Sequence, residues 1–256
     1  MTAALWQPLI ERLDRLQATG RAADFWLRDD DAVEPTAALE RLIDLTDRFS
    51  IPATLAVIPA FTDERLSHHL AGRGDINIAV HGWSHQNHAS TGEKRQELGA
   101  HRTRGTVVRE LRMGYARLAA LYPTSFVPLL VPPWNRIDFG LIADLPEIGF
   151  RALSVFGPEA SGKFALVRPD PELVIINTHV DVMDWHGTRG CRDHGEIVRD
   201  IARRLDLLSD GHETVGILTH HLVHDESVWT FLSELFEITA RHPACSWRKV
   251  VDLIDR

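Results

Sequence analysis

The chain has 256 residues, 44% of them hydrophobic, with a formal charge of -8 and a pI near 5.9. That length and apolar content suit a single domain spanning 1–256, and the acidic balance without clustered Lys and Arg excludes a nucleic-acid surface, because phosphate binding needs concentrated positive charge. No apolar run approaches the roughly 20 residues that cross a bilayer, the N-terminal segment MTAALWQPLIERLDRLQATG reads as an amphipathic helix rather than a signal peptide, and Cys191 and Cys245 are too few for a disulfide framework and lack metal-site spacing. A cytoplasmic location without membrane contact is the expectation.

In chain order, DFWLRDDD predicts a strand, and TAALERLIDLTDRF predicts a helix with a stripe of Leu39, Leu42, Ile43 and Leu45 and a start signal at Pro35. ATLAVIPA predicts a second strand, 64–71 a short helix and INIAVHG a third strand. A long polar helix is expected over roughly 93–121, then a strand SFVPLLVPP, a helix through Leu141 and Ile142, and strands RALSVF and ELVIINTHVD. The helix HGEIVRDIARRLDLL, the strand TVGILTHHLV and the helix ESVWTFLSELFEITARH complete the series. Strands alternating with helices, without repeats or a Gly/Ser linker, predict parallel strands covered by helices, as a barrel or a doubly wound sheet.

The polar residues collect at the carboxyl ends of these strands. Asp29, Asp30 and Asp31 close the first, His81 and His85 follow the third, VPPWNR follows the fourth, His179 and Asp181 end a later one, and His220 and His221 another. In α/β barrels and open α/β sheets alike, ligands and catalytic groups gather at that edge. Each cluster alone has a plainer reading. A triple Asp serves as a turn or a helix cap, histidines at i and i+4 share a face only if the backbone turns helically, and Trp83, Trp134 and Trp185 serve as packing. Their concentration on one edge favours a functional site.

The segments LRDDDA, HGWSH, VPPWN, DVMDW and LTHH resemble, in order, the five motifs of the polysaccharide deacetylases, the NodB-homology or carbohydrate esterase family 4 group, over roughly 25–221. The resemblance implies a distorted (β/α)7 barrel of the NodB-homology type, an α/β fold, that binds a divalent metal, expected to be zinc, and removes acetyl groups from an N-acetylated carbohydrate or a related small amide. It implies Asp31, His81 and His85 as metal ligands, Asp30 as catalytic base and His220 as catalytic acid, with His221 in reserve. It further implies that Asp181 positions that acid, that Trp185 lines the acetyl pocket and that a backbone N–H near Trp134 faces the oxyanion; because sugar C–H faces stack on aromatic rings, Trp83 or Trp134 is expected to flank the sugar, with His221 also at the substrate.

These residue types suit the chemistry. An acetamide resists hydrolysis, so its attacking water must be activated and its developing oxyanion neutralised, which a metal with three protein ligands and an open position can do. A base takes the proton and an imidazolium protonates the departing amine. The cation also offsets repulsion between Asp30 and Asp31.

Two departures from the family pattern bear on the assignment. The third motif commonly begins with an Arg that pairs with the base, where this chain has Val131, so Arg136 or Arg28 must supply that charge. The first motif reads Asp-Asp-Asp-Ala rather than Asp-Asp-Gly, so base and ligand are Asp30 and Asp31 or else Asp29 and Asp30. Two other readings stay open: a catalytically silent metal- or sugar-binding homologue, and a non-haem iron oxygenase, since two His and one carboxylate also suit Fe(II). Whether the chain forms a homo-oligomer is open too.

Overall fold

The computed structural model describes residues 3–159, 173–208 and 214–256. Its centre is a curled sheet of nine strands: β1 (Ala23–Ala32), β2 (Ala53–Val57), β3 (Ile76–Val80), β4 (Phe126–Leu130), β5 (Ala152–Leu153), β6 (Val174–Ile175), β7 (Val180–Asp181), β8 (Thr214–Thr219) and β9 (Cys245–Trp247). They run in the order β6-β5-β4-β3-β2-β1-β8-β7, with β9 added beside the start of β1, and every ladder among these strands is parallel. Helices α1 (Ala3–Ala18), α2 (Ala37–Phe49), α3 (Glu64–Leu70), α4 (Arg104–Leu121), α5 (Leu145–Ile148), α6 (His194–Leu207) and α7 (Glu226–Ala240) accompany the strands, and α8 (Val250–Ile254) follows β9. This is the α/β fold of a distorted (β/α)7 barrel. No helix among the described residues is long and apolar enough to cross a membrane.

Strand alternation sorts the side chains into two cores. Phe25 and Leu27 of β1, Leu55 and Val57 of β2, and Ile78 and Val80 of β3 join the large core shared with the helices. Their neighbours Trp26, Ala56, Ala79, Leu129, Ala152 and Ile176 form a second, smaller core inside the barrel. Val250, Leu253 and Ile254 of α8 belong to that inner core, and β9 pairs with Ala23–Phe25, so these two elements floor the barrel at the amino ends of its strands. The opposite end, where the polar clusters lie, stays available for chemistry.

The structure departs most from the sequence reading in three places. The helix expected over 93–121 begins only at Arg104, where Thr103 caps it by accepting a hydrogen bond from the Thr106 N–H. Residues 93–103 are irregular, with Leu98 bridging to Ile137. ELVIINTHVD, expected as one strand, changes partner partway. Ile176 and Thr178 donate to Leu153 and Val155 beside β5, and His179 then donates to Gly216 of β8, so one extended run joins both edges of the sheet. The third departure is the floor of β9 and α8, which the sequence reading lacked.

Gly216 permits that crossing. A Cβ there would lie 2.5 Å from the Asn177 carbonyl oxygen, 2.6 Å from Trp26 Nε1 and 2.7 Å from Thr178 Cα. Two of the three are backbone atoms, which cannot rotate aside. Gly216→Ala is therefore expected to destabilise the fold by about 1–3 kcal/mol, the scale of overpacking. Gly105→Ala in α4, where a Cβ meets nothing within 4 Å, should instead stabilise by about 0.5–1 kcal/mol. Urea denaturation of both variants beside wild type measures the contrast.

Candidate active site

Three consecutive aspartates leave β1 in three directions. Asp29 lies on the outer face, completely buried, and accepts hydrogen bonds from the Thr219 hydroxyl at 2.7 Å, the His221 backbone N–H at 2.8 Å and His221 Nδ1. Burial opposes its ionisation, but the His221 charge outweighs that and holds the carboxyl below the usual range. Asp30 points into the barrel, where the buried Arg28 grips both oxygens, Nε to Oδ1 at 2.9 Å and Nη2 to Oδ2 at 3.1 Å. Arg28 is itself held by the Ser154 hydroxyl and Asn135 Oδ1, each at 2.7 Å. Asp31 should then face outward again. Instead β1 bulges against β2 between Asp30 and Ala32, and Asp31 takes φ +76°. A bulge re-aims a side chain, and here it brings Asp31 to the mouth beside Asp30.

His81 and His85 meet Asp31 there. His81 Nε2 is 3.2 Å and His85 Nε2 3.3 Å from Asp31 Oδ1. The two imidazoles do not converge through a helix, as their spacing suggested. Residues 81–85 form a loop with φ +62° at Gly82 and +53° at His85, and the ring centroids lie 5.0 Å apart. His81 Nδ1 contacts the Val131 carbonyl at 2.9 Å. As the donor in that bond it leaves Nε2 with a bare lone pair toward Asp31, the arrangement common behind metal-bound histidines. Burial opposes the charge on His81, but Asp30 and Asp31 overcome it and raise its pKa. Burial, then the His81 charge, pushes His85 down to about 4. Burial also opposes ionisation of Asp31, yet His81, with His85 and His220 beyond it, holds that carboxyl well below its usual range.

This trio fits a metal ion. All three ligand atoms lie within 4.8 Å of one another, and Asp31 Oδ1 is buried without a well-directed hydrogen bond. Ligand atoms about 2.1 Å from one tetrahedral ion stand roughly 3.4 Å apart, close to the spacings of 3.2 and 3.3 Å seen here. An acceptor-only carboxylate and two imidazole nitrogens suit a borderline cation such as zinc.

Across the mouth, His220 Nε2 lies 4.0 Å from Asp30 Oδ2. Trp185 stands edge-on to the His220 ring at 4.7 Å, and its Nε1 donates to Asp181 Oδ2 at 2.8 Å. Asp181 Oδ1 accepts from the Met183 N–H, so Asp181 reaches His220 through its charge and the intervening indole. Burial raises the Asp181 pKa. Trp134, at φ +54°, lays its ring 4.3 Å from that of His85. Trp83 is half-buried, with its backbone tied at both ends: its N–H to Glu97 and its carbonyl to Ala60.

Two sequence expectations are corrected. The cation on Asp30 is Arg28, two residues back on the same face of β1, whereas Arg136 donates to the Arg95 carbonyl at 2.9 Å and braces a loop. His221 cannot line the substrate site. It is 1% exposed and follows Thr219 on the outer face, because adjacent residues leaving β8 alternate and only His220 turns inward. His179 also stays apart, bonded to Glu159 at 2.9 Å. The sequence reading missed Ser154 and Glu97. Ser154 follows β5 on the inward face, which a period-2 count would have shown. Glu97, completely buried, accepts from the backbone N–H groups of Trp83, Ser84 and His85, and no spacing rule connects residues 12 or more apart through an irregular loop.

No protein-family model and no curated protein matches the chain. Solved structures do. A polysaccharide deacetylase from Mycobacterium smegmatis, so described provisionally, matches with a TM-score of 0.63 at 15% identity, over 91% of this chain and 90% of its own. A family 4 carbohydrate esterase from Streptomyces lividans, in complex with acetate, matches with a TM-score of 0.58 at 14% identity, over 89% and 93%. A family 4 acetyl xylan esterase from Clostridium thermocellum, with a cobalt ion, matches with a TM-score of 0.55 at 15% identity, over 91% and 90%. The chain therefore shares, along most of its length, the fold on which carbohydrate esterase family 4 and polysaccharide deacetylase structures are built.

Proposed function

We propose that the protein is a metal-dependent hydrolase that removes acetyl groups from an N-acetylated carbohydrate or a related amide. The observation that carries this reading is the convergence of Asp31, His81 and His85 within reach of one ion, with Asp30 and His220, 4.0 Å apart, at the same mouth. The shared fold supports it, since similar structures are a carbohydrate esterase holding acetate and an acetyl xylan esterase holding cobalt. A non-haem iron oxygenase is disfavoured by the all-parallel ladders, because such enzymes are expected on antiparallel β frameworks.

When bound, a divalent ion supplies Lewis acidity at Asp31, His81 and His85. Asp30 Oδ2 faces the same space and takes the proton of the attacking water. Arg28 grips both Asp30 oxygens and fixes their direction. His220 delivers a proton to the departing nitrogen, and the edge of Trp185 limits its rotation. Trp185 is 41% exposed, so its free face can meet the acetyl group, while Trp134 beside His85 offers a surface for the apolar face of a sugar ring.

Three outcomes test the reading. Elemental analysis of wild type and His81→Ala should differ by about one equivalent of metal, the content of a single three-ligand site. Asp30→Asn should keep its metal yet lower acetate release roughly a hundredfold or more, the scale of a lost general base, whereas Asp31→Asn should lose metal affinity. Loss of metal from Asp30→Asn, with Asp31→Asn still metal-bound, would move ligand and base back by one residue, to Asp30 and Asp29. Trp185→Ala should reduce turnover with folding and metal content intact, because the reacting amide loses its position. If its activity instead tracks the folded fraction through the melting transition, the indole is packing only.

A further inference from the structure

Residues 81–85 contain no helix that would hold two imidazoles at a fixed spacing, and both Gly82 and His85 have positive φ. A loop of that kind has many alternatives, and ordering it at the moment of ion binding would weaken affinity. Something must hold it beforehand. His81 is anchored by its place at the end of β3, by its N–H on the Val57 carbonyl and by its ring on the Val131 carbonyl. His85, four residues out, has no such strand.

We propose that Glu97 is the positioning residue that pre-forms the His85 half of the metal site. Glu97 Oε1 accepts from the Ser84 N–H at 2.8 Å and the Ser84 hydroxyl at 3.2 Å, while Oε2 accepts from the Trp83 N–H at 3.3 Å and the His85 N–H at 3.2 Å. Three consecutive amides thus converge on one carboxylate, which has acceptors only and no donor to oppose them. Glu97 is completely buried, so water does not compete for those amides. Its own backbone is fixed in turn. The Glu97 carbonyl accepts from Arg102 Nη2 at 3.1 Å, and the next carbonyl, Leu98, accepts from the Asp138 N–H at 2.7 Å, just beyond the Pro133–Asn135 turn that carries Trp134.

Gly82 bears the imprint of the same contact. A Cβ at Gly82 would stand 2.1 Å from Glu97 Oε2 and 2.7 Å from Pro133 Cγ. The glycine beside the first metal histidine therefore provides the positive φ and the space through which the carboxylate reaches the loop.

The proposal rests on the metal-site reading and deepens it. Its test is a titration of metal-free protein with Co2+, followed by ligand-field absorption, with melting temperature measured on the same samples. Glu97→Gln keeps the shape but places an amide NH2 against backbone donors. The expected result is Co2+ affinity lowered roughly ten- to hundredfold, the range for groups that orient metal ligands, with an altered absorption band and a folded protein. Glu97→Asp keeps both acceptor oxygens on a shorter arm and should fall between Gln and wild type. Hydrogen exchange of the metal-free proteins should show faster exchange confined to the 82–86 peptide in Glu97→Gln. Co2+ affinity indistinguishable from wild type in a folded Glu97→Gln protein overturns the proposal, as does a lowered melting temperature with unchanged affinity of the folded fraction. If Glu97→Gln does not fold, the Asp variant decides by the same two readouts. A wild type that takes up no Co2+ removes the metal site itself and the role of Glu97 with it.

Discussion

Adjacent residues on a strand face opposite ways, and at the end of β1 that constraint meets three aspartates in a row. Uniform alternation would set Asp29 and Asp31 together on the outer face and leave Asp30 alone within. The bulge at Asp31 breaks the pattern once. As a result the three carboxylates, chemically identical, hold three positions: one against a buried imidazole, one against a buried guanidinium and one beside two imidazoles. Strained backbone of this kind costs on the order of 1–3 kcal/mol and persists where the surroundings dictate it. Here they do, since Asp29 and Asp30 are both anchored on either side of the strand.

The buried Arg28 explains the make-up of the barrel interior. A guanidinium away from water must have its charge paired and its N–H groups bonded, or it destabilises the fold by several kcal/mol. Asp30, from β1, pairs its charge, and Asp30, Ser154 at the end of β5 and Asn135 in the turn after β4 accept from its Nη groups, while Nε faces Asp30 Oδ1 at 2.9 Å without a well-directed hydrogen bond. The long side chain needs room, and Ala56, Ala79 and Ala152 on neighbouring inward positions leave it. One ion pair therefore ties three stretches of chain together directly below the mouth, and the rigidity of Asp30 follows from the packing of residues distant in sequence.

The parts of this architecture that depend on local pattern were legible in the sequence. Period-2 and period-3.6 apolar runs located β1 to β4, β8 and most helices, and the clustering of His81, His85, Asp31 and His220 at strand ends indicated one edge. What depended on contacts through space was not. Arg28 and Arg136 both remain candidate cations for Asp30 until the strand face is counted, and the placement of His221 follows only once His220 is known to face inward. The 93–103 segment has helical composition, yet its role is set by the buried Glu97 and the Leu98 bridge, which no local rule encodes. ELVIINTHVD has the composition of one strand, and its change of partner is dictated by the closure of the sheet.

That change of partner has a mechanical consequence. The ladders that join β8, β1, β2 and β3 pair five or six residues, whereas those that join β3 to β4, β4 to β5, β5 to β6 and β7 to β8 pair only two each. Where backbone hydrogen bonds are fewest, the free energy of local opening is lowest. The cylinder is therefore most compliant along the arc of β4, β5, β6 and β7, and Asp181, at the end of that arc, accepts the hydrogen bond that steadies Trp185 beside His220. Asp31, His81 and His220 leave strands held by the long ladders, whereas Asp181 and Trp185 stand on the short ones, so the pocket has one stiff wall and one that can yield to the width of an incoming ring.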